Sequence, residues 1–254
     1  MPRFFLAGTP FTVGDRVDLP TDLLRHLRTV LRLAPGSSIE LLDGQGQVAR
    51  AEVTAEYQAL VQSVRTEPPP RCQLSLIQGL PKGEKLELVL QKGTELWVSR
   101  FLPTPMARSV GKLKADREQK RLARWQKIIQ EAACQTGQAH LPQLVLKPDF
   151  ASALTEGADL KLLLWEQSET PLEQVLPEQR PRQINVVVGP EGGVSRDEAE
   201  AAIAAGYQAV SLGPRILRTE TAGLAVMAIL QYLYGDLAKG RNGSVAVCQG
   251  KDES

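Results

Sequence analysis

The spacing of apolar residues changes character once along this chain, at Pro68-Pro69-Pro70, and that change limits the possible folds more than any other feature. Three successive prolines make a stiff, extended joint that neither a helix interior nor a central strand can absorb. Before the joint, apolar and polar residues alternate in Ser38-Ile39-Glu40-Leu41-Leu42 and in Val48-Ala49-Arg50-Ala51-Glu52-Val53. Between them lies the glycine-rich turn Asp43-Gly44-Gln45-Gly46. That pattern predicts a β-hairpin. Leu23, Leu24, Leu27, Val30 and Leu31 recur at helical spacing, so one helix is expected over 21–33.

Beyond the joint, apolar runs at 73–79, 100–104, 160–165, 184–188 and 209–212 alternate with helical periods at 83–96, 116–135, 195–205 and 219–234. Such alternation is the mark of a mostly parallel sheet with helices on both faces. Ser195 followed by Glu198 supplies a capping box for the third of these helices. The expected division is a strand-rich domain over 1–70, an α/β domain over 71–237, and a tail over 238–254 with little to bury. No internal repeat is visible.

Composition excludes several classes. The formal net charge is only +1, so attraction to nucleic acid has to come from local clustering. Cys72, Cys134 and Cys248 show no CxxC spacing, and His26 and His140 are the only histidines. Neither a disulfide framework nor a metal site is expected. The chain shows no signal-peptide pattern and no apolar run of membrane-spanning length, so a cytoplasmic protein is expected.

Two strand ends carry the chemistry. The run 184–188 leads into Gly189-Pro190-Glu191-Gly192-Gly193 and a capped helix. The run 209–212 leads into Gly213-Pro214-Arg215-Ile216-Leu217-Arg218-Thr219-Glu220 and another helix. In open α/β sheets, ligands bind beyond the carboxyl ends of the strands, where glycine lets the backbone come close. The plainer alternative is a pair of tight strand-to-helix turns. The first loop is neither a P-loop nor GxGxxG, and Glu191 would repel a pyrophosphate at a helix N-terminus. A phosphate-free ligand with adenine, ribose and a positive centre suits it better, and S-adenosyl-L-methionine has that make-up. A Glu191 facing solvent is the ordinary alternative.

Gly189 to Gly193, with Leu212-Gly213-Pro214-Arg215-Ile216-Leu217-Arg218-Thr219-Glu220-Thr221-Ala222, resembles the signature of the RsmE-type methyltransferases of the SPOUT superfamily. Gln91-Lys92-Gly93-Thr94-Glu95-Leu96, Trp125-Gln126-Lys127-Ile128 and Glu131-Ala132-Ala133-Cys134-Gln135 resemble the family's other blocks, in the same order. The similarity runs from about residue 3 to Leu237. It implies methylation of N3 of a uridine in 16S ribosomal RNA, free or within the small subunit. It further implies a PUA-like β-barrel domain ahead of a SPOUT domain with a deep trefoil knot, an exception to unknotted topology. The cofactor would be S-adenosyl-L-methionine, held by the loops at Leu164, at Gly189, Pro190, Glu191, Gly192 and Gly193, and at Leu212, Gly213, Ile216 and Leu217. A homodimer is implied as well. Trp97 departs from the family's usual glycine and Gln138 from its usual arginine.

Methyl transfer needs alignment more than a nucleophilic triad, because orientation can supply roughly 7–11 kcal/mol. A uridine N3 that loses its proton needs a nearby cation, and Arg218 is the first choice. Glu220 is either the base or a group that orients Arg218; alternatively the two form a cap and ion pair at the helix start. For RNA, Arg108, Lys112, Lys114, Arg117, Lys120, Arg121, Arg124 and Lys127 oppose only Asp116 and Glu118. Arg3, Arg25, Arg28 and Arg32 form a smaller basic set in the first domain. Such clusters fit phosphate contacts, and a solvated helix face is the plainer alternative. Trp125 either stacks on a base or packs, with its helical spacing favouring packing. Glu95 and Gln135 belong either to the site or to local helix hydrogen bonding. Two rivals compete: an RNA-binding module without catalysis, which intact glycine loops argue against, and a dehydrogenase, which needs GxGxxG where 73–82 offers only Gly79.

Overall fold

A computed structural model describes residues 1–6, 8, 10–110 and 115–238, the side chains of 115–117 excepted; Lys112, Lys114 and the tail from 239 lie outside the described residues. The chain forms two compact units, 1–69 with 129–141 and 70–128 with 142–254.

The first unit holds β1 (Arg3–Phe5), β2 (Arg16–Val17), α1 (Thr21–Arg25), β3 (Ser38–Leu42), β4 (Gln47–Val53) and β5 (Ala59–Thr66). They form one mixed sheet in the order β1-β3-β4-β5-β2, with β1 parallel to β3 and the other pairs antiparallel. The expected hairpin is the β3–β4 pair, in which Ile39 faces Ala51 and Leu41 faces Ala49. Leu27, Ile39, Leu41, Ala51, Val53 and Val61 fill the core. The helix expected over 21–33 is shorter. After Arg25 it loosens into one π-turn, His26–Val30, and Arg32 then adopts a left-handed φ of 51°.

The second unit is built on β6 (Gln73–Gly79), α2 (Lys85–Glu95), β7 (Arg100–Thr104), α3 (Ala115–Thr136, whose last turns join the first unit), β8 (Gln143–Leu144), α4 (Phe150–Leu154), β9 (Leu160–Leu164), β10 (Gln183–Val188), α5 (Arg196–Ala204), β11 (Gln208–Val210) and α6 (Thr219–Tyr234). Six parallel strands run in the order β11-β9-β10-β6-β7-β8. Their near-continuous apolar sequence follows from burial on both faces. Ile77, Leu102, Leu163 and Val187 pack with Phe150 and Leu154 of α4 and Ala199 and Ala202 of α5. Residues of the other parity, among them Leu76 and Phe101, meet Gly223 of α6 and Gly93 of α2. Side chains alternate across a strand, so one set of residues serves two helix layers. The carboxyl ends of β9, β10 and β11 lie side by side, and the loops leaving them form one cavity.

Candidate functional site

That cavity measures about 700 Å³ and opens at the ends of the three strands. Leu164, Gly189, Pro190, Glu191, Gly192, Gly193, Leu212, Gly213, Ile216 and Leu217 all line it, together with Arg218 and Glu220. The two strand-end loops singled out in the sequence are thus walls of one space.

Close packing makes the glycines necessary there. A Cβ on Gly189 would come within 2.8 Å of the Gly193 carbonyl carbon, and one on Gly192 within 2.8 Å of Arg108 Cβ. Gly193 has φ +75°, and a Cβ on it would meet Glu166 Oε1 at 2.7 Å. The loop presents backbone to the cavity because no side chain has room.

Polar ties hold the loop in place. Arg108 donates to the Gly192 carbonyl at 2.8 Å, and the Ala107 N–H donates to Glu198 Oε1 at 2.7 Å. Glu198 also completes the capping box with Ser195 at the start of α5. Glu191 accepts from the Lys82 N–H at 3.0 Å and from Lys85 Nζ at 2.9 Å. Desolvation pushes the Glu191 carboxyl up, but Lys85 and the backbone N–H groups of Glu191 and Lys82 outweigh it and hold the group below the usual range. Glu191 therefore anchors the loop to the start of α2. Its charge is compensated within the protein, which removes the basis for reading it as a partner for a ligand's positive centre.

At the rim, Arg218 is the N-cap residue of α6, exposed and without a side-chain capping bond. Glu220 lies two residues further, with Oε2 shielded from solvent and without a hydrogen-bond partner. The two form no ion pair among the described residues, so the cap-and-bridge alternative does not describe this helix start. Ile216 is 87% exposed on the same loop.

The basic residues are less uniform than their sequence suggests. Arg3 is tied to Glu40 at 2.8 Å, and Glu40 also holds Arg65. Arg28 lies over the Tyr57 ring at 3.9 Å, and Arg32 is exposed. Arg124 pairs with Glu87 at 2.6 Å and Glu84 at 3.3 Å, while Arg121 and Lys127 are exposed. Trp125 is 5% exposed and packs. Glu95 pairs with Lys92, and the His140 ring meets the Glu67 carbonyl.

Sequence reasoning missed Lys85, Glu166, Ser168 and Thr219, which also line the cavity. One signal was readable: a lysine in the first turn of a helix opposes the helix dipole and calls for a compensating anion. Glu166 and Ser168 carried none beyond following a strand that is apolar except for Lys161.

Comparisons with known proteins agree with this geometry. The RNA methyltransferase domain family matches residues 67–231, and the RNA methyltransferase PUA domain matches residues 19–58. A ribosomal RNA small subunit methyltransferase E from Neisseria gonorrhoeae, solved with S-adenosyl methionine bound, superposes with a TM-score of 0.83 at 36% identity, covering 93% of this chain and 99% of that one. A putative methyltransferase from Legionella pneumophila, in complex with the same cofactor, gives a TM-score of 0.85 at 29% identity over 92% and 98%. A ribosomal RNA small subunit methyltransferase E of Mycobacterium bovis is 33% identical over 82% of this chain and 83% of its own length. Fold and cavity define the class: a methyltransferase domain of the RNA-modifying type behind a PUA-like domain. Within that class, the chain belongs to the ribosomal RNA small subunit methyltransferase E family.

Proposed function

We propose that this chain transfers a methyl group from S-adenosyl-L-methionine to N3 of a uridine in 16S ribosomal RNA, acting as a homodimer in the cytoplasm. The observation that carries the reading is the cavity walled by bare backbone at Gly189, Gly192 and Gly193. Its residues fit the cofactor. About 700 Å³ suits a nucleoside-sized ligand, and at the glycine loop Lys85 and Arg108 are engaged by Glu191 and the Gly192 carbonyl. The glycine loop therefore leaves neither of these cations free for a pyrophosphate. No helix among the described residues is long and apolar enough to cross a membrane.

When bound, the cofactor supplies an electrophilic methyl carbon. Residues 71–237 carry the chemistry and residues 1–70 help hold RNA, with the three loops threaded as a trefoil knot. The loops at Leu164, 189–193 and 212–217 orient the nucleoside, where alignment contributes on the order of 7–11 kcal/mol. Arg218 stabilises the negative charge on the uracil ring as N3 gives up its proton. Glu220 takes that proton, because its shielded Oε2 is an acceptor with no donor assigned to it. Arg28, Arg32, Arg121, Arg124 and Lys127 contact phosphates. Arg3 and Arg108 belong to the same set, although Glu40 and the Gly192 carbonyl hold them, as Glu87 and Glu84 hold Arg124.

The test is mass spectrometry of 16S ribosomal RNA from cells lacking the gene. N3-methyluridine is expected to disappear and to return on complementation. Its unchanged persistence would remove the RNA assignment.

A further inference from the structure

The last turn of β6 holds a polar group that the proposed chemistry does not use. Gln78 is 1% exposed in a strand that is otherwise apolar from Leu74 to Ile77 apart from Ser75. Its Nε2 donates to Thr219 Oγ1 at 2.8 Å, with the carbonyls of Gly79 at 3.2 Å and Gly189 at 3.4 Å. The Thr219 hydroxyl in turn donates to the Gly189 carbonyl. The polarity is consistent throughout: amide to hydroxyl to carbonyl. Three segments distant in sequence (the end of β6, the glycine loop after β10 and the first helical residue of α6) are joined through two buried side chains.

This arrangement is poorly suited to stability alone. Gln78 Oε1 has no hydrogen-bond partner, and a buried acceptor left unpaired costs free energy that an apolar side chain of similar size would not. Packing therefore does not account for glutamine here. What the pair does fix is the point at which α6 begins. Arg218 has no side-chain cap of its own, and the helix closes on its carbonyl through the N–H groups of Thr221 and Ala222. Thr219 is the adjoining residue, and its pinned hydroxyl sets where the Arg218 side chain leaves the backbone.

We infer that Gln78 and Thr219 are positioning residues for the reaction: they hold Arg218 in register with the glycine loop and act on turnover through it. The inference rests on the catalytic role given to Arg218 above. Gln78→Met keeps size and removes the donor; Thr219→Val keeps shape and removes the hydroxyl.

Each substitution is made in the wild-type and in the Arg218→Ala background, with full-length protein and 16S ribosomal RNA. In the wild-type background each is expected to lower kcat at least tenfold, with KM for RNA changed less than threefold. In the Arg218→Ala background the further loss is expected to be under twofold, because residues acting as one unit are non-additive. Thr219→Ser, which keeps the hydroxyl, is expected to retain near-wild-type kcat. Amide hydrogen exchange at 219–222 should quicken in Thr219→Val with the rest of the protein unchanged.

Equal losses in both backgrounds would overturn the inference while leaving Arg218 in the mechanism. So would a loss in Thr219→Ser as large as in Thr219→Val. Wild-type turnover in Arg218→Ala would overturn the inference together with the role assigned to Arg218. Should Gln78→Met fail to fold, the Thr219→Val and Thr219→Ser pair decides the matter.

Discussion

Gly193 is the most tightly constrained position in the cavity wall, because two independent restrictions meet there. Its φ of +75° lies in the left-handed region, and the space its Cβ would need is taken by the Glu166 carboxylate at 2.7 Å. The left-handed conformation alone costs a non-glycine residue about 1–2 kcal/mol. Gly193→Ala is therefore expected to lower the melting temperature by a few degrees. It should also weaken S-adenosylhomocysteine binding at least tenfold by calorimetry, since the loop must shift away from Glu166. Unchanged affinity in a folded variant would detach this loop from the cofactor. The same physics bears on Trp97, which stands where the resemblance implies glycine. Its φ is +60°, so the glycine-like backbone is kept although the side chain is not, and its carbonyl accepts from Gln231 Nε2 at 2.9 Å. Gln138, where the resemblance implies arginine, is buried inside the first unit.

Helix α5 shows how an element's start signal serves the site. Ser195 accepts from the Glu198 N–H, and Glu198 returns a bond to the Ser195 N–H at 3.0 Å while holding the Ala107 N–H with its other oxygen. Ser195→Ala is expected to cost about 1 kcal/mol, the usual worth of an N-cap, measured by urea unfolding. Glu198→Ala should cost more and should also loosen 105–110 in hydrogen exchange, because it removes the loop tie as well as half of the box. Equal effects of the two substitutions would mean that the tie to Ala107 contributes nothing. The capping box was readable because its two residues are three apart in sequence. So were the long strands and helices of the second unit: four apolar residues within the six at 183–188, or sixteen helical ones at 219–234, leave a period to detect. β1 and β8, with three and two residues, leave none. Nor could sequence reveal that 129–141 joins the first unit, because helical spacing continues unbroken through α3. Within the site, consecutive glycines announced the loops. Gln78, Lys85 and Glu166 did not announce themselves, because what makes them matter is contact across roughly 30 to 140 positions.

At the scale of the whole molecule, the outer face of α6 is the surface on which the proposed homodimer can be tested. Val226, Met227 and Leu230 are buried, whereas Ile229, Tyr232, Leu233 and, just past the helix, Leu237 are 40–61% exposed, with Tyr232 and Leu233 three and four residues after Ile229 and so on one helix face. Ala225, Ile229 and Leu233 border a second hollow with Leu172 and Leu176, which shares Leu212, Gly213 and Leu217 with the large cavity. Full burial of a side chain such as leucine stabilises by about 1.5–3 kcal/mol, so a stripe of this size left in water favours self-association. A two-fold contact through this face satisfies the proposed homodimer with one surface on each copy. Leu233→Asp tests it cleanly, because Leu233 is half exposed within one chain and a charge there leaves the core alone. Light scattering after size exclusion is expected to give twice the chain mass for the wild type and the chain mass for the variant, with an unchanged circular dichroism spectrum. Because the hollow and the cavity share a wall, S-adenosylhomocysteine binding should weaken along with dimerisation, and should recover partly as protein concentration is raised. A variant that stays dimeric would move the interface elsewhere on the molecule. One that becomes monomeric yet binds the analogue with wild-type affinity would show that each copy builds its cofactor site alone.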